Sequence, residues 1–308
     1  MRALTYTTSG APAEGFHLGQ TPEPHAGPGQ VRIRVHAAGI SPLDRKTVAG
    51  ERGEAEPPTP AVPGIDAAGT VDEVGEGVSD VSVGDEVFGL GSGTHAAHAV
   101  LFAWAHKAPQ IDWSVAAAAP LAVETSQRAL GLIEAQAGQN VFVDGGSGGV
   151  GAVAVQVALD RGLGVVASAG QDNQDYLREI GAVPVLHGEG LLERVRAVAP
   201  GGLDAVLDIA GKTPAEDLAA LVSHLARVVS IANPEVAERG GIFTGPTPSA
   251  GPDEREERGL GQAMAHAADL LRRNALVIKV QTFPLERAAE AYARSTSGQV
   301  RGKVVLLP

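Results

Sequence analysis

The segment Val141 to Gly151, VFVDGGSGGVG, constrains the fold of this chain more than any other. An apolar run of strand character ends in a glycine cluster, and an Ala/Val-rich stretch of helical pattern follows from Ala152 to Arg161. Within the cluster, Gly146, Gly148 and Gly151 fit G-x-G-x-x-G. That spacing answers three demands: a tight turn out of the strand, close approach of backbone to a diphosphate, and close helix–strand packing. Gly146, Ser147, Gly148, Gly149, Val150 and Gly151 are therefore candidate cofactor contacts, because the free N–H groups and positive end of the helix attract phosphates.

A chain of 308 residues is long enough for two domains at about 100–200 residues each. Hydrophobic content of 44% with only 19% charged residues places it among globular proteins. A formal net charge of -12, with no long basic block, repels phosphate backbones and argues against nucleic acid as a partner. Cysteine is absent, which excludes disulfides, thiolate catalysis and thiolate-bound zinc. The opening MRALTYTTSG lacks the apolar core of a signal peptide. The stretch Val115 to Val123 is broken by Pro120 and too short to span a bilayer, so a cytoplasmic protein without membrane contact is expected.

Two regimes divide the chain. In the first hundred residues, Val31, Ile33 and Val35 alternate with Arg32 and Arg34, the period of a half-buried strand. Val71, Val74, Val78, Val81, Val83 and Val87 are punctuated by glycines, as in a compact curled β domain. Gly50 to Pro63 reads as a loop. From about Val115, apolar runs at Val141–Val143, Val165–Ala167, Val183–Leu186, Ala205–Ile209 and Val228–Ile231 alternate with helical patterns. The helical patterns include Gln174–Ile180, Leu191–Val198 and Ala215–Leu225. This βαβα rhythm predicts an α/β fold with a parallel, doubly wound sheet. Gly245 to Arg258 reads as an exposed mobile loop, followed by helices over Leu260–Arg273 and Leu285–Ser295 and a strand over Lys303–Leu307.

A dinucleotide fold selects NAD through an acidic residue about 20 positions beyond the first glycine. Here the second strand ends at Ser168, with no carboxylate to compete with a 2′-phosphate, which favours NADPH. Gln171, Asp172 and Asn173 in the next turn supply no cation. Asn173 joins the candidate cofactor contacts, and Asp172 either opposes the phosphate or is an ordinary turn residue. Ala210 and Ala232 end two strands on the carboxyl edge, where ligands bind in such sheets, and their small side chains suit close approach or simply tight turns.

Seven segments carry a resemblance: Ala37–Gly50 (AAGISPLDRKTVAG), Val62–Val78, Val83–Gly89, Ala116–Leu130, Asp144–Ala158, Gly202–Gly211 and Gly298–Pro308. Together they span nearly the whole chain, which resembles the zinc-independent medium-chain dehydrogenases/reductases of the quinone oxidoreductase branch. The resemblance implies a GroES-like β domain over residues 1–117, completed by 276–308, and a Rossmann dinucleotide-binding domain over 118–275, with the cofactor in the cleft between them and a homodimer as the assembly. Where zinc-dependent relatives carry metal ligands, this chain has Ser41 and Ile65-Asp66. His95 and His98 are closely spaced, but on a strand they point to opposite faces, so no metal site is expected.

The resemblance also assigns residues. Ser41 stands where many relatives place an asparagine near the nicotinamide; Asp44 and Lys46 follow it, each either catalytic or, respectively, a turn cap and a solvent-exposed side chain. Thr125 falls near the nicotinamide by family position, or caps a helix. Glu124 beside it is a salt-bridge partner or a cleft acid. His187 stands where relatives often have tyrosine near the adenosine phosphate, and Arg301 with Lys303 could lend charge to the phosphates. The activity implied is metal-free hydride transfer from NADPH to a small-molecule quinone or enone. Two alternatives stand beside it: an enoyl-reducing tailoring enzyme of a polyketide-type pathway, and a non-catalytic NADPH-binding sensor. The loop Gly50–Pro63 offers no tyrosine as proton donor.

Overall fold

The computed structural model describes residues 1–6, 15–50, 60–245, 254–297 and 300–308. Most of the proposed loop Gly50–Pro63 (51–59) lies outside them. Chain contacts separate one unit made of Met1–Leu121, Pro248–Asn274 and Ile278–Pro308 from a second made of Ala122–Thr247 and Ala275–Val277.

The first unit begins with a small antiparallel pair, β1 (Arg2–Thr5) and β2 (His17–Gln20). Next come β3 (Val31–Ile40), helix α1 (Pro42–Val48), β4 (Asp66–Val74), β5 (Glu86–Ser92), β6 (His98–His106) and α2 (Trp113–Ala118). The predicted alternation in β3 is present: Val31, Ile33 and Val35 face the core, while Arg32 and Arg34 do not. Alternation stops at Ala37, beyond which the strand is buried throughout to Ile40, as expected where both faces are covered. β3 to β6 run antiparallel in order, and β6 pairs back onto β3, so the four strands close on themselves. Val31, Ile33, Val71, Val87 and Leu101 fill the interior.

Helix α3 (Pro120–Leu132) leads into the second unit. There β7 (Asn140–Asp144), α4 (Gly151–Asp160), β8 (Gly164–Ala169), α5 (Gln174–Glu179), β9 (Val183–Leu186) and α6 (Leu191–Val198) alternate. β10 (Ala205–Asp208), α7 (Ala215–Ala219), β11 (Val228–Ser230), α8 (Glu235–Glu238) and β12 (Ile242–Phe243) complete it. All pairings are parallel and the strand order is β12-β11-β10-β7-β8-β9. Counted from β7 this is the 3-2-1-4-5-6 order of a dinucleotide fold, with its topological switch point between β7 and β10. α4 is buried from Gly151 to Ala158, which explains its nearly uniform Ala/Val composition. Helix α7 stops far short of the predicted Leu225: Leu218 and Leu221 both turn into the core through a tight C-terminal turn rather than a continued helix.

The chain then returns to the first unit with α9 (Glu254–Arg272), β13 (Val280–Pro284), α10 (Ala288–Thr296) and β14 (Lys303–Leu307). Of the loop predicted over Gly245–Arg258, residues 246–253 lie outside the described residues, and from Glu254 the chain is helical. Glu and Arg are good helix formers, and acidic residues suit a helix N-terminus; Glu257 and Arg258 lie exposed on that helix. Ala263 and Met264 of α9 pack against Leu90 and Ala103. The predicted helix from Leu285 starts as a single 3₁₀ turn. β13 has no counterpart in the sequence reading, because its mixed burial lacks alternation. Among the described residues no helix is long and apolar enough to cross a membrane.

Candidate active site and cofactor platform

At the end of β7 the chain turns through Gly145, whose φ of 83° belongs to glycine. The tight turn out of the strand thus falls one residue before the first glycine of the motif. Gly146 serves packing instead: a Cβ there would lie 2.7 Å from Ala167 Cβ. At Gly151 a Cβ would come 2.1 Å from the Gly145 carbonyl oxygen, so this glycine permits α4 to start against the turn. Gly148 is different, since a Cβ would meet only the Gly145 carbonyl oxygen at 3.6 Å. Space is left open there. Among the described residues, the backbone amides of Ser147, Gly149 and Val150 donate no hydrogen bond. Unbonded amides beside open space at the head of a ten-residue helix fit a diphosphate.

Beneath the loop lies a row of polar side chains at the carboxyl ends of four strands. Asp144 and Asp208 are register partners on β7 and β10, and Asp208 is the partner of Ser230 on β11. The hydroxyl of Ser168, at the end of β8, donates to Asp144 Oδ1 and accepts the Gly145 amide at 2.9 Å. Thr213 donates to Asp144 Oδ2 at 2.7 Å. Ser230 donates to Asp208 Oδ2 at 2.7 Å and accepts the amides of Ala232 and Asn233 at 3.1 and 2.8 Å. The Gly211 amide donates to Asp208 Oδ1 at 2.7 Å. Burial pushes the Asp208 carboxyl above its ordinary range, against the lowering effect of these donors, with the neighbouring Asp144 adding to the rise.

Ser168 is thus fully buried, with its hydroxyl committed to Asp144 and the Gly145 amide. The strand tip beyond it, Ala169 and Gly170, carries no carboxylate. Asn173 Nδ2 lies 3.3 Å from Ser147 Oγ, bringing two predicted contacts together. His187 is next to Gly170, where a Cβ would lie 3.5 Å from His187 Nε2. Ala210 and Ala232 keep neighbouring loops close: Cβ atoms at Gly145 and Gly211 would come 2.8 and 2.7 Å from theirs. Thr125 lies inside α3 rather than at its cap, and donates to Glu124 at 3.2 Å. Glu124 is an ion-pair partner, held by Arg128 at 2.7 Å. Asp144, Asp208, Thr213 and Ser230 escaped the sequence reading. Their signal was present as a polar residue closing each buried apolar strand, VFVD, AVLD and VVS.

In the first unit, Ser41 caps α1. Its hydroxyl accepts the Asp44 amide at 3.3 Å and bonds Asp44 Oδ2 at 2.8 Å, while its own amide donates to Oδ2 at 2.6 Å. Asp44, the third residue of α1, therefore completes a capping box whose cap is Ser41. Its Oδ1 is buried and finds no donor among the described residues. Burial pushes the Asp44 carboxyl up to about 7, with the nearby Asp66 charge adding to the rise. Asp66 Oδ2 pairs with Lys303 Nζ at 3.1 Å, both fully buried, and Oδ1 accepts the Leu121 amide at 2.8 Å. His95 meets the Gly39 carbonyl through Nε2 and the Tyr292 hydroxyl through Nδ1, each at 3.1 Å. The carbonyl can only accept, so Nε2 carries the proton and Tyr292 donates to Nδ1. Desolvation lowers His95 to about 4. Lys46 is half-buried on α1 and Arg301 is exposed before β14, neither within this cluster. Lys303, grouped with Arg301 as a phosphate partner, is instead the buried counter-ion of Asp66.

A GroES-like β unit and a dinucleotide-type α/β unit in one chain define the medium-chain dehydrogenase/reductase class. The alcohol dehydrogenase GroES-like domain family matches residues 27–109 and the zinc-binding dehydrogenase family residues 180–306. The quinone oxidoreductase of Homo sapiens is 30% identical, over 90% of this chain and 89% of that protein. The chloroplastic NADPH-dependent alkenal/one oxidoreductase of Arabidopsis thaliana is 28% identical, over 91% of this chain and 72% of that protein. Mycobacterial Rv1454c, solved in complex with NADPH, matches with a TM-score of 0.86 at 25% identity, covering 100% of both chains. The chain belongs to the quinone oxidoreductase family and is an oxidoreductase.

Zinc, which the second family description implies, does not fit the residues present. Among the described residues no three His, Asp or Glu side chains gather as ligands. The donors in question are committed elsewhere: Ser41 to Asp44, Asp66 to Lys303 and Leu121, and His95 to Gly39 and Tyr292.

Proposed function

We propose that this protein is an NADPH-dependent reductase of quinones or α,β-unsaturated carbonyls that works without a metal. The observation that carries the reading is the open glycine loop, with the unbonded amides of Ser147, Gly149 and Val150 at the head of α4. The family and its relatives support it: one is named a quinone oxidoreductase, one an NADPH-dependent alkenal/one oxidoreductase, and one was solved with NADPH. NADPH, when bound, supplies a hydride to a conjugated acceptor, and solvent supplies the proton.

The chain's own residues divide the remaining work. Ser147, Gly149 and Val150 hold the diphosphate through their amides, and the room at Gly148 admits it. A strand tip without a carboxylate accepts a 2′-phosphate, with Asn173 and His187 beside it as polar neighbours. The Ser41 hydroxyl, expected to meet the acceptor's carbonyl, is buried and donates to Asp44, so it secures the start of α1 rather than the acceptor. A conjugated acceptor spreads the negative charge it receives, which removes the need for a Lewis acid.

The test is NADPH oxidation against quinones, 2-alkenals and cyclic enones, run before and after exhaustive chelation. Turnover of one of these classes, undiminished by the chelator, is the expected result. Binding of NADPH without turnover of any of them moves the sensor reading forward, and activity restored only by added zinc overturns the metal-free mechanism. NADPH is expected to bind more tightly than NADH, and equal affinities would remove the argument from the strand tip.

A further inference from the structure

We infer that Asp144 and Asp208 are positioning residues for the cofactor, binding three separate loops of the carboxyl edge into one rigid platform. The inference rests on the NADPH reading above. Each carboxylate stands at the end of a strand flanking the switch point between β7 and β10. Each accepts hydrogen bonds from a serine on the next strand outward, and that serine accepts loop amides in turn. The loop after β7 is thus tied through Gly145, the loop after β10 through Gly211 and Thr213, and the loop after β11 through Ala232 and Asn233.

The loops also touch one another. Gly145 packs on Ala210 and Gly211 packs on Ala232, each so closely that a side chain at the glycine would clash. A shift in one loop is therefore passed to the next. Amides that bind a phosphate contribute fully only if they are already aimed before it arrives, because ordering them on binding costs affinity. Asp144 acts on those amides at second hand, through Ser168 and Gly145.

The direction of the hydrogen bonds separates the two acids. Thr213 can reverse and accept from an amide, so Asp144→Asn keeps both partners. Ser230 already accepts two amides, so an amide at position 208 would crowd its oxygen and leave its own proton without an acceptor.

The experiment is fluorescence titration of NADPH into Asp144→Ala, Asp144→Asn, Asp208→Asn and Thr213→Val, with KM and kcat for each. Asp144→Ala should weaken NADPH by about tenfold, the loss of one buried hydrogen-bond partner, in Kd and KM alike. Its kcat at saturating NADPH should change little. Asp144→Asn should restore affinity to within about threefold of wild type, while Asp208→Asn should not. Thr213→Val, at a half-buried position, should weaken NADPH by about threefold even if the alanine variant fails to fold. Hydrogen exchange of residues 145–150 without cofactor should speed up in the Asp144→Ala and Thr213→Val proteins. A folded Asp144→Ala or Thr213→Val protein with unchanged Kd and unchanged exchange overturns the inference, as does Asp144→Asn behaving like the alanine variant. Wild-type protein that binds no NADPH overturns the cofactor reading instead, and the exchange measurement still decides the platform.

Discussion

Among the described residues each unit buries two acidic side chains, and the two pairs differ in whether a cation joins them. In the first, Asp66 takes a cation, Lys303, and Asp44 takes a serine and keeps one oxygen unpartnered. These groups bond to one another and to backbone at the start of helices; the cluster is closed. In the second, Asp144 and Asp208 have no cation among the described residues and draw their donors from hydroxyls and from loop amides. A buried acid without a counter-ion must be satisfied by neutral donors, and here those donors order the loops that carry the candidate site. The first arrangement stores stability, whereas the second turns burial into geometry.

The largest effect should come from breaking the ion pair. Lys303→Met leaves Asp66 as an uncompensated buried charge and is expected to cost about 3–5 kcal/mol in denaturant unfolding. Adding Asp66→Asn should recover much of that loss, since no charge then remains buried. If Lys303→Met were nearly neutral, the first cluster would not be the stability store described above.

Next in size is a pH effect within the same cluster, where two groups pull in opposite directions. The folded Asp44 carboxyl, at about 7 against the ordinary 3.8, contributes stability that is full below 3.8 and lost as pH rises through about 7. Folded His95, at about 4 against 6.5, contributes stability present above 6.5 and lost as pH falls through about 4. Asp66, Lys303 and Tyr292 surround these groups. Between pH 4 and 6.5 the two slopes oppose, so the wild-type melting temperature should vary little on their account. Asp44→Asn removes one slope and should make stability climb with pH by something on the order of 3 kcal/mol over that window. A variant whose profile parallels the wild type would show that Asp44 does not hold its proton when buried.

The sequence made the scaffold of both units readable, but not the contrast between them. The strand Val183–Leu186, helix Leu191–Val198 and strand Lys303–Leu307 coincide with predicted segments, because glycine or proline punctuates each run at both ends. The glycine loop was legible from spacing alone. The roles of its members were not: Gly145 makes the turn because of its φ, a property no spacing records. Ser168 is legible as a strand-tip residue, but strand position says which edge a residue occupies and not which way its hydroxyl turns. Asp144, Asp208 and Ser230 are far apart in sequence and meet only through parallel register. Asp44 and Asp66 were visible as acids, but their burial and the partner at Lys303 come from packing the last strand against the barrel.

The smallest effect on stability should be paired with a large effect on binding, at Gly148. A Cβ at this position meets one atom at van der Waals distance, whereas at Gly151 it would sit 2.1 Å from a carbonyl oxygen. Gly148→Val should therefore leave the unfolding transition within about 0.5 kcal/mol of wild type, the range of an uncrowded substitution. The valine methyls would fill the space assigned to the diphosphate, so NADPH titration should show binding abolished. Gly151→Ala is the control that moves the opposite way, lowering stability because α4 can no longer start against the turn. Retained binding in Gly148→Val would place the phosphates elsewhere, and the polar row beneath the loop would then be a stability store like the cluster around Asp66.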